Sequence, residues 1–214
     1  MKSFLIIGMG SFGHHLCRAL AEQKCEVMVV DRSGECVEDV LPLVVSAKIG
    51  DCTNEEVLRS CDIESFDACF VCLGSDVLGS LQITSLLKEL GAKKVFSKAE
   101  DDLQAKFLLR NGADEVIYPE LEVATSIAVS ESSDSIFDCI RLTADYSIYE
   151  LEPMKRWLGK SLKELNFRAK YHLTVVAAIR DGVIRPNLSP DYVFREEEHL
   201  LILGQSEDIR KVIR

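Results

Sequence analysis

The chain has 214 residues, of which 47% are apolar and 28% are charged, as in ordinary globular proteins of one large domain or of one domain plus a smaller one. No apolar run reaches the roughly 18 residues that a membrane span requires, so direct membrane insertion is not expected. The formal net charge of −10 argues against a nucleic-acid-binding surface. The first residues resemble a core strand rather than a signal peptide, which predicts a cytoplasmic location.

The N-terminal stretch predicts a β-α-β unit with a dinucleotide-binding fingerprint. An uninterrupted apolar run at 4–7 is followed by a G-x-G-x-x-G motif at Gly8, Gly10 and Gly13. Gly8 permits a tight turn, Gly10 leaves room for a pyrophosphate, and Gly13 lets the following helix pack closely against the sheet. The N-terminus of that helix would then face the phosphates.

Asp31 ends the second apolar run of this unit. A carboxylate at this position is placed to accept hydrogen bonds from ribose hydroxyls, and it would repel a 2′-phosphate, which argues against NADP. A glycine-rich turn that binds nothing is the alternative interpretation. The fingerprint is favoured because a strand before it, a helix after it, a second strand and a terminal acid all coincide.

The β-α alternation continues through about 130 residues and predicts six strands in all. Further strands are predicted at 43–49, 68–73, 95–98 and 115–118. Helices are predicted at 33–40, 54–60, 78–90 and 103–110, with another that begins at Pro119. Ser33 and Asn54 are predicted to be the N-cap residues of the first two helices. This regular order is typical of the α/β class and predicts a Rossmann-like, doubly wound parallel sheet.

The pattern changes after a polar stretch at 130–134. Strands then predominate, with candidates at 146–151, 173–179, 183–184 and 200–203 and short helices at 161–165 and 207–213. The dipeptide Asp181-Gly182 is a strong hairpin signal. The second domain is therefore predicted to be a small α+β module, with domain ranges of 1–133 and 134–214.

The eight cysteines lie mostly within apolar runs, where cysteine behaves as a small hydrophobic residue. Cys69 and Cys72 have C-x-x-C spacing but fall inside a predicted strand. Residues three apart on a strand point to opposite faces, so the two sulfur atoms are not expected to share a metal ion. The four histidines do not cluster, and the sequence contains no recognisable metal-ligand set or catalytic triad.

Four further motifs are Lys98-Ala99, Gly112–Asp114, Tyr118–Glu120 and Asn166–Tyr171. Together with the fingerprint and Asp31, they resemble those of RCK proteins, the cytosolic regulators of potassium channels and transporters. The whole chain resembles the KtrA/TrkA type, which has one N-terminal nucleotide-binding domain and one C-terminal TrkA-C domain.

The resemblance implies a nucleotide-sensing gating subunit and not an enzyme. Such proteins form homodimers that assemble into an octameric ring beneath a membrane-embedded potassium transporter or channel, so the implied location is the inner face of the cell membrane. The ligand would be an adenine nucleotide, either ATP/ADP or NAD/NADH. The resemblance implies contacts with the phosphates, ribose and adenine in addition to the fingerprint residues Gly8 and Gly13. These contacts are Gly10, Ser11, Phe12, Asp31, Arg32, Asp51, Cys52, Gly74 and Lys98.

Glu120 matches a family glutamate near the phosphates at the dimer interface, where a divalent or monovalent cation can sit. A helix-start carboxylate favoured by the helix dipole is the alternative interpretation. Some family members bind cyclic di-AMP across the C-terminal dimer. The matching region here contains Asn166, Arg168, Tyr171 and Pro190. For Arg168, a surface salt bridge is an equally good interpretation.

Ser11 departs from the family pattern, which usually reads G-x-G-R-F-G. The arginine reaches the terminal phosphate and distinguishes ATP from ADP, whereas a serine hydroxyl carries no charge. The sequence therefore predicts weaker discrimination between ATP and ADP, with NAD or NADH as an alternative ligand. A small NAD-dependent oxidoreductase is the competing functional hypothesis, but the chain lacks a Tyr-x-x-x-Lys pair and a plausible catalytic histidine in the second module.

Overall fold

The computed structural model describes residues 1–132, 135–143 and 145–213. The chain divides into two compact units, Met1–Leu121 and Glu122–Arg214. The predicted domain boundary between residues 133 and 134 falls on two residues outside the described ranges, so the ranges 1–133 and 134–214 stay a prediction. Within the described ranges, no helix has the length and apolar character that crossing a membrane would demand.

The first unit contains a parallel sheet of six strands in the order β3-β2-β1-β4-β5-β6. The strands are β1 (Ser3–Ile7), β2 (Glu26–Asp31), β3 (Ser46–Ile49), β4 (Ala68–Val71), β5 (Val95–Lys98) and β6 (Glu115–Ile117). This is the strand order of a dinucleotide-binding fold, and it confirms the predicted Rossmann-like class.

Helices connect the strands of this sheet. They are α1 (Ser11–Glu22), α2 (Gly34–Glu38), α3 (Glu55–Arg59), α4 (Val77–Glu89), α5 (Asp102–Arg110) and α6 (Pro119–Glu131), the last of which includes residues of both units. Ser33 and Asn54 cap α2 and α3 by accepting hydrogen bonds from backbone N–H groups, as their positions before the helices predicted. Asp76 and Asp101 cap α4 and α5 in the same way.

The central strands are buried on both faces, which explains their uninterrupted apolar sequences. On β4, Cys69 belongs to the core cluster on one face of the sheet and Cys72, directly after the strand, belongs to the cluster on the other face. The prediction that these two sulfur atoms lie on opposite faces is confirmed. The strand predicted at 43–49 was too long, because a 3₁₀ turn at Leu41–Leu43 that contains Pro42 delays its start to Ser46.

The second unit contains an antiparallel sheet of five strands in the order β10-β9-β11-β8-β7. The strands are β7 (Ile136–Arg141), β8 (Tyr146–Leu151), β9 (Thr174–Arg180), β10 (Val183–Pro186) and β11 (His199–Gln205). The helices are α7 (Leu162–Leu165), α8 (Phe167–Tyr171) and α9 (Ser206–Ile213). Together they form the predicted small α+β module.

In the second unit, the predicted hairpin is confirmed, and one strand is present that was not predicted. The hairpin between β9 and β10 is confirmed: Asp181 and Gly182 have φ angles of 53° and 72°, as a two-residue turn of this kind requires. Strand β7 was not predicted. It is an edge strand with an irregular register against β8, and only Ile136 and Cys139 are buried, so its sequence lacks a clear alternation.

Candidate functional site

A cleft opens at the carboxyl ends of the strands in the first unit, where β1 and β4 lie side by side and the chain reverses its direction of winding. Ligands of doubly wound sheets bind at this topological switch point. The cleft contains about 430 Å³ of empty space, including its open mouth. Its lining comprises Ile7, Gly8, Val30, Asp31, Arg32, Gly50, Cys52, Leu73, Asp76 and Ile83.

The glycine-rich loop between β1 and α1 has the geometry that its sequence predicted. Gly8 has a φ angle of 93°, which strongly favours glycine. A Cβ atom on Gly13 would lie 2.1 Å from the Gly8 carbonyl oxygen, so any side chain there would force α1 away from the strand. A Cβ atom on Gly10 would meet no atom within 4 Å. The loop therefore leaves open space beside Gly10.

The N-terminus of α1 adjoins that open space. Gly10 is the N-cap residue and supplies no side-chain hydrogen bond, and the first turn contains no acidic residue. The first backbone N–H groups and the positive end of the helix dipole are thus not neutralised by a cap. Ser11 is exposed at this end, whereas Phe12 is half-buried and packs against the core. Such a helix end is suited to an anionic group such as phosphate.

Asp31 anchors the neighbouring loops through its carboxylate. The Met9 backbone N–H donates to Oδ2 at 2.6 Å, and the Ser33 backbone N–H donates to Oδ1 at 2.7 Å. The Asp31 carbonyl oxygen accepts a further hydrogen bond of 2.8 Å from the Gly50 N–H. The predicted ribose acceptor therefore already engages both of its side-chain oxygens within the protein.

A charged network lies at the mouth of the cleft. The Arg32 guanidinium is 2.9 Å from Asp51 Oδ1 and 3.8 Å from Asp76 Oδ2. Asp51 also accepts hydrogen bonds from the backbone N–H and the hydroxyl of Thr53. These bonds from Thr53, with the contribution of Arg32, hold the pKa of Asp51 below its usual range. Asp51 is therefore an anion at neutral pH.

Asp76 was not among the predicted contact residues, although it lines the cleft. Its position directly after the Gly74-Ser75 strand end was the available signal. Cys52, by contrast, was predicted, and its buried side chain forms part of the cleft lining. Burial raises the pKa of the Cys52 thiol to about 12, so it contributes an apolar surface and not a nucleophile.

A second group of predicted residues gathers around the end of β5. Lys98 Nζ lies 2.5 Å from Glu120 Oε1, and only 11% of the lysine side chain is exposed. This hydrogen bond lowers the pKa of Glu120. A Cβ atom on Gly74 would lie 2.5 Å from Glu100 Oε1 and 3.3 Å from Lys98 Nζ, so Gly74 gives both side chains room. Glu100, two residues beyond Lys98, was not among the predicted contact residues.

The four residues predicted for a second ligand lie around α7 and α8. Asn166 joins the two helices with a φ angle of 45°, and Arg168 is exposed on α8. The Tyr171 ring packs within 5.6 Å of Trp157, between ring centroids. The Pro190 carbonyl oxygen accepts a 2.8 Å hydrogen bond from Lys163 at the start of α7. Over the described ranges, Arg168 has no ion-pair partner.

In the part of the chain that the structure describes, histidine, cysteine and carboxylate side chains do not form a metal centre. Over residues 1–132, 135–143 and 145–213, no group of three or more such side chains is arranged to hold a metal ion. The adjacent His14 and His15 rings are 6.3 Å apart between centroids and nearly perpendicular.

Chemical labelling of the thiols can test the burial of the cysteine side chains. Cys52, Cys69 and Cys72 are buried, and burial raises each thiol pKa to about 12, whereas Cys25 and Cys36 are partly exposed. A chromogenic disulfide reagent at pH 8 should therefore modify Cys25 and Cys36 rapidly in the folded protein. Reactivity of the three buried thiols should stay low up to pH 9, because a thiol with a pKa of about 12 remains protonated there.

Urea provides the control for this labelling experiment, because all eight thiols should react once the chain is unfolded. Peptide mapping of the modified protein would identify the sites. Rapid labelling of Cys69 and Cys72 in the folded state would contradict their assignment to opposite core clusters.

Comparison with known proteins places this geometry in a family. Residues 4–119 match the TrkA-N domain and residues 146–214 match the TrkA-C domain. The Ktr system potassium uptake proteins C and A of Bacillus subtilis are 33% and 35% identical to the chain over 210 residues, covering 98% of it and 95% of each relative.

A solved structure shows the same fold. The GsuK channel bound to NAD superimposes with a TM-score of 0.68 at 15% identity, and the match covers 97% of this chain and 38% of the channel chain. The resemblance that the sequence motifs suggested is therefore confirmed. The chain belongs to the family of TrkA-N and TrkA-C domain proteins that includes the Ktr system potassium uptake proteins A and C.

Proposed function

We propose that this protein is a nucleotide-sensing regulatory subunit of a membrane potassium transporter or channel. The observation that carries the proposal is the uncapped N-terminus of α1 beside the open space at Gly10, within a chain related along its whole length to potassium uptake proteins. A subunit of this kind senses a ligand in its cleft and passes a change of shape to its partner. The protein performs no catalysis in this proposal.

The cleft suggests an orientation for an adenine nucleotide. The phosphates would lie at the N-terminus of α1, against Gly10, Ser11 and Phe12, where free N–H groups and the helix dipole attract anions. The ribose would approach Asp31, and the base would lie over the apolar lining at Cys52, near Arg32. NAD is a credible ligand beside ATP and ADP, because the GsuK channel shares the fold and has a structure bound to NAD.

Lys98 and Glu120 supply a second point of contact for the phosphates. Bound phosphate would compete with Glu120 for the Lys98 ammonium, which is mostly buried and can form strong charge-assisted hydrogen bonds. The freed Glu120 carboxylate could then bind a divalent or monovalent cation together with phosphate oxygens. Because one chain brings too few ligands together in its described residues, the proposed cation site requires the phosphates and a second copy.

Exposed apolar side chains support assembly with further copies. Leu78 on α4 is 80% exposed, Leu103 on α5 is 63% exposed, and Val123 on α6 is 59% exposed. Leu109 on α5 is 51% exposed, and Leu121 and Ile127 on α6 are 50% and 56% exposed. Exposed apolar side chains are a feature of surfaces that bind other proteins. We propose homodimers that assemble into an octameric ring with nucleotide bound.

The second unit is the proposed site for a second ligand, cyclic di-AMP. The exposed Arg168 guanidinium, which has no ion-pair partner in the described part of the chain, is available to bind a phosphate. Asn166 and Pro190 border the same two helices, whereas Tyr171 is partly committed to the aromatic core. The ligand would lie across a C-terminal dimer and contact these residues from both copies.

Replacement of Gly10 by aspartate tests nucleotide binding. The side chain has space, since a Cβ atom there meets nothing within 4 Å, but its carboxylate would occupy and repel the phosphate position. We expect the Gly10→Asp protein to fold and to lose at least about tenfold in affinity for ATP, ADP and NAD, measured by calorimetry. The matched control is Asn187→Asp, which adds the same charge at an exposed position of the second unit and should bind normally. Unchanged affinity in a folded Gly10→Asp protein would refute nucleotide binding in this cleft.

Ser11 is expected to weaken discrimination between ATP and ADP. Loss of a charged contact to the terminal phosphate should reduce the difference between the two binding free energies by up to about 1–2 kcal/mol relative to an arginine-bearing relative. Ser11 is exposed, so Ser11→Arg should fit and should increase the preference for ATP in calorimetry. Gln23→Arg, at the other end of α1, controls for added charge. A natural protein that separates ATP from ADP about a hundredfold, or about 2.7 kcal/mol, would contradict this prediction.

The regulatory role can be tested in cells. Deletion of the gene should impair growth when potassium is limiting, and a tagged protein purified from membranes should bring a potassium transporter with it. Complementation with Asn187→Asp should restore growth, whereas Gly10→Asp should not. Light scattering should report an oligomer of dimers at micromolar concentration. If growth is unaffected and no transporter is recovered, while NADH is oxidised with a small substrate, the alternative assignment to NAD-dependent oxidoreductases would replace this one.

A further inference from the structure

We infer that Asp31 positions the glycine-rich loop for phosphate, in addition to any contact that it makes with ribose. This inference rests on the proposed nucleotide-binding function. It follows from the two short hydrogen bonds that the Asp31 carboxylate accepts, one from the Met9 N–H at 2.6 Å and one from the Ser33 N–H at 2.7 Å.

The bond from Met9 fixes the loop because Met9 lies between the first two glycines of the fingerprint. Glycine residues leave a backbone conformationally free, so a loop of this composition requires an external contact to hold one conformation. An ionised carboxylate can only accept hydrogen bonds, and charge-assisted bonds are about twice as strong as neutral ones. The Asp31 carboxylate therefore restrains the peptide group between Gly8 and Met9, directly before the open space at Gly10.

The backbone around Asp31 extends this restraint to three strand ends. The Gly8 N–H donates to the Val30 carbonyl oxygen at 2.9 Å, and the Gly50 N–H donates to the Asp31 carbonyl oxygen at 2.8 Å. The ends of β1, β2 and β3 are thus joined at one residue. A phosphate site formed by backbone N–H groups depends on this alignment, since such groups act by being held in place before the ligand arrives.

Positioning of the loop and recognition of ribose are compatible roles with different consequences. Each carboxylate oxygen has two lone pairs, and one N–H donor on each leaves capacity for a ribose hydroxyl. Recognition of ribose requires the 2′- and 3′-hydroxyl groups, whereas positioning of the loop does not. A ligand that lacks both hydroxyls therefore separates the two roles.

Replacement of Asp31 by asparagine removes one of the two hydrogen bonds that the carboxylate accepts, with little change in side-chain size. Its side chain offers one acceptor oxygen and one donor NH₂ group, so either the Met9 N–H or the Ser33 N–H must face a donor. We expect Asp31→Asn to lower the affinity for ATP and for 2′,3′-dideoxy-ATP alike, by about tenfold or more, measured by calorimetry. Asp39→Asn makes the same charge change at the exposed C-terminus of α2 and should leave both affinities unchanged.

The outcomes distinguish this inference from the proposed function. Failure of the wild-type protein to bind ATP would contradict the proposed function. If the wild-type protein binds both ligands, and Asp31→Asn weakens ATP while 2′,3′-dideoxy-ATP binds as before, Asp31 only recognises ribose and the inference is overturned.

Hydrogen exchange gives a second test that does not depend on folding of a variant. In the nucleotide-free wild-type protein, the Met9 amide should exchange more slowly than the amide of Ser11, which has no capping acceptor. Exchange at Met9 as fast as at Ser11 would show that the restraint is absent before nucleotide binds, and this result would overturn the inference.

Discussion

The close approach of α1 to the end of β1 is the constraint on which the candidate site depends. Gly13 has no room for a Cβ atom because the Gly8 carbonyl oxygen lies in its place. This approach brings the N-terminus of α1 to the carboxyl edge of the sheet, where β1 and β4 border the cleft. A helix end that lies free in solvent binds anions only weakly, whereas one fixed against a sheet presents its N–H groups in a constant arrangement. A larger residue at position 13 would separate the helix from the strand and lose that arrangement.

The charged side chains around the cleft form ion pairs with one another. Arg32 is paired with Asp51 and approaches Asp76, and Lys98 is paired with Glu120. The pairs at Arg32 are about half exposed, so each contributes little to the stability of the fold. In the proposed function, an anionic ligand would compete with these carboxylates for Arg32 and Lys98. Binding would then change the contacts of Arg32 just after β2, of Asp76 at the start of α4 and of Glu120 on α6.

Asp76 lines the cleft and also stabilises a helix of the first unit. It lines the mouth of the cleft, caps α4 and lies 3.8 Å from the Arg32 guanidinium. On α4, Leu78 follows within one turn of this cap and is 80% exposed. A change at the cleft mouth therefore lies within one helical turn of an exposed apolar side chain, which belongs to the surface proposed for contacts between copies. In the proposed function, ligand binding and assembly would therefore be coupled through the first turn of α4.

The sequence by itself determined the order and type of nearly all elements, the helix caps at Ser33 and Asn54 and the hairpin at Asp181-Gly182, because periodicity, capping and turn preferences act over a few residues. It did not reveal β7, since an edge strand with few buried residues has no regular pattern. Only the tertiary structure decided which polar groups pair. Asp31 with Met9, Arg32 with Asp51 and Lys98 with Glu120 are separated by 22, 19 and 22 positions. Their pairing depends on which parallel strands become neighbours and in which register, and no local pattern in the sequence encodes that choice.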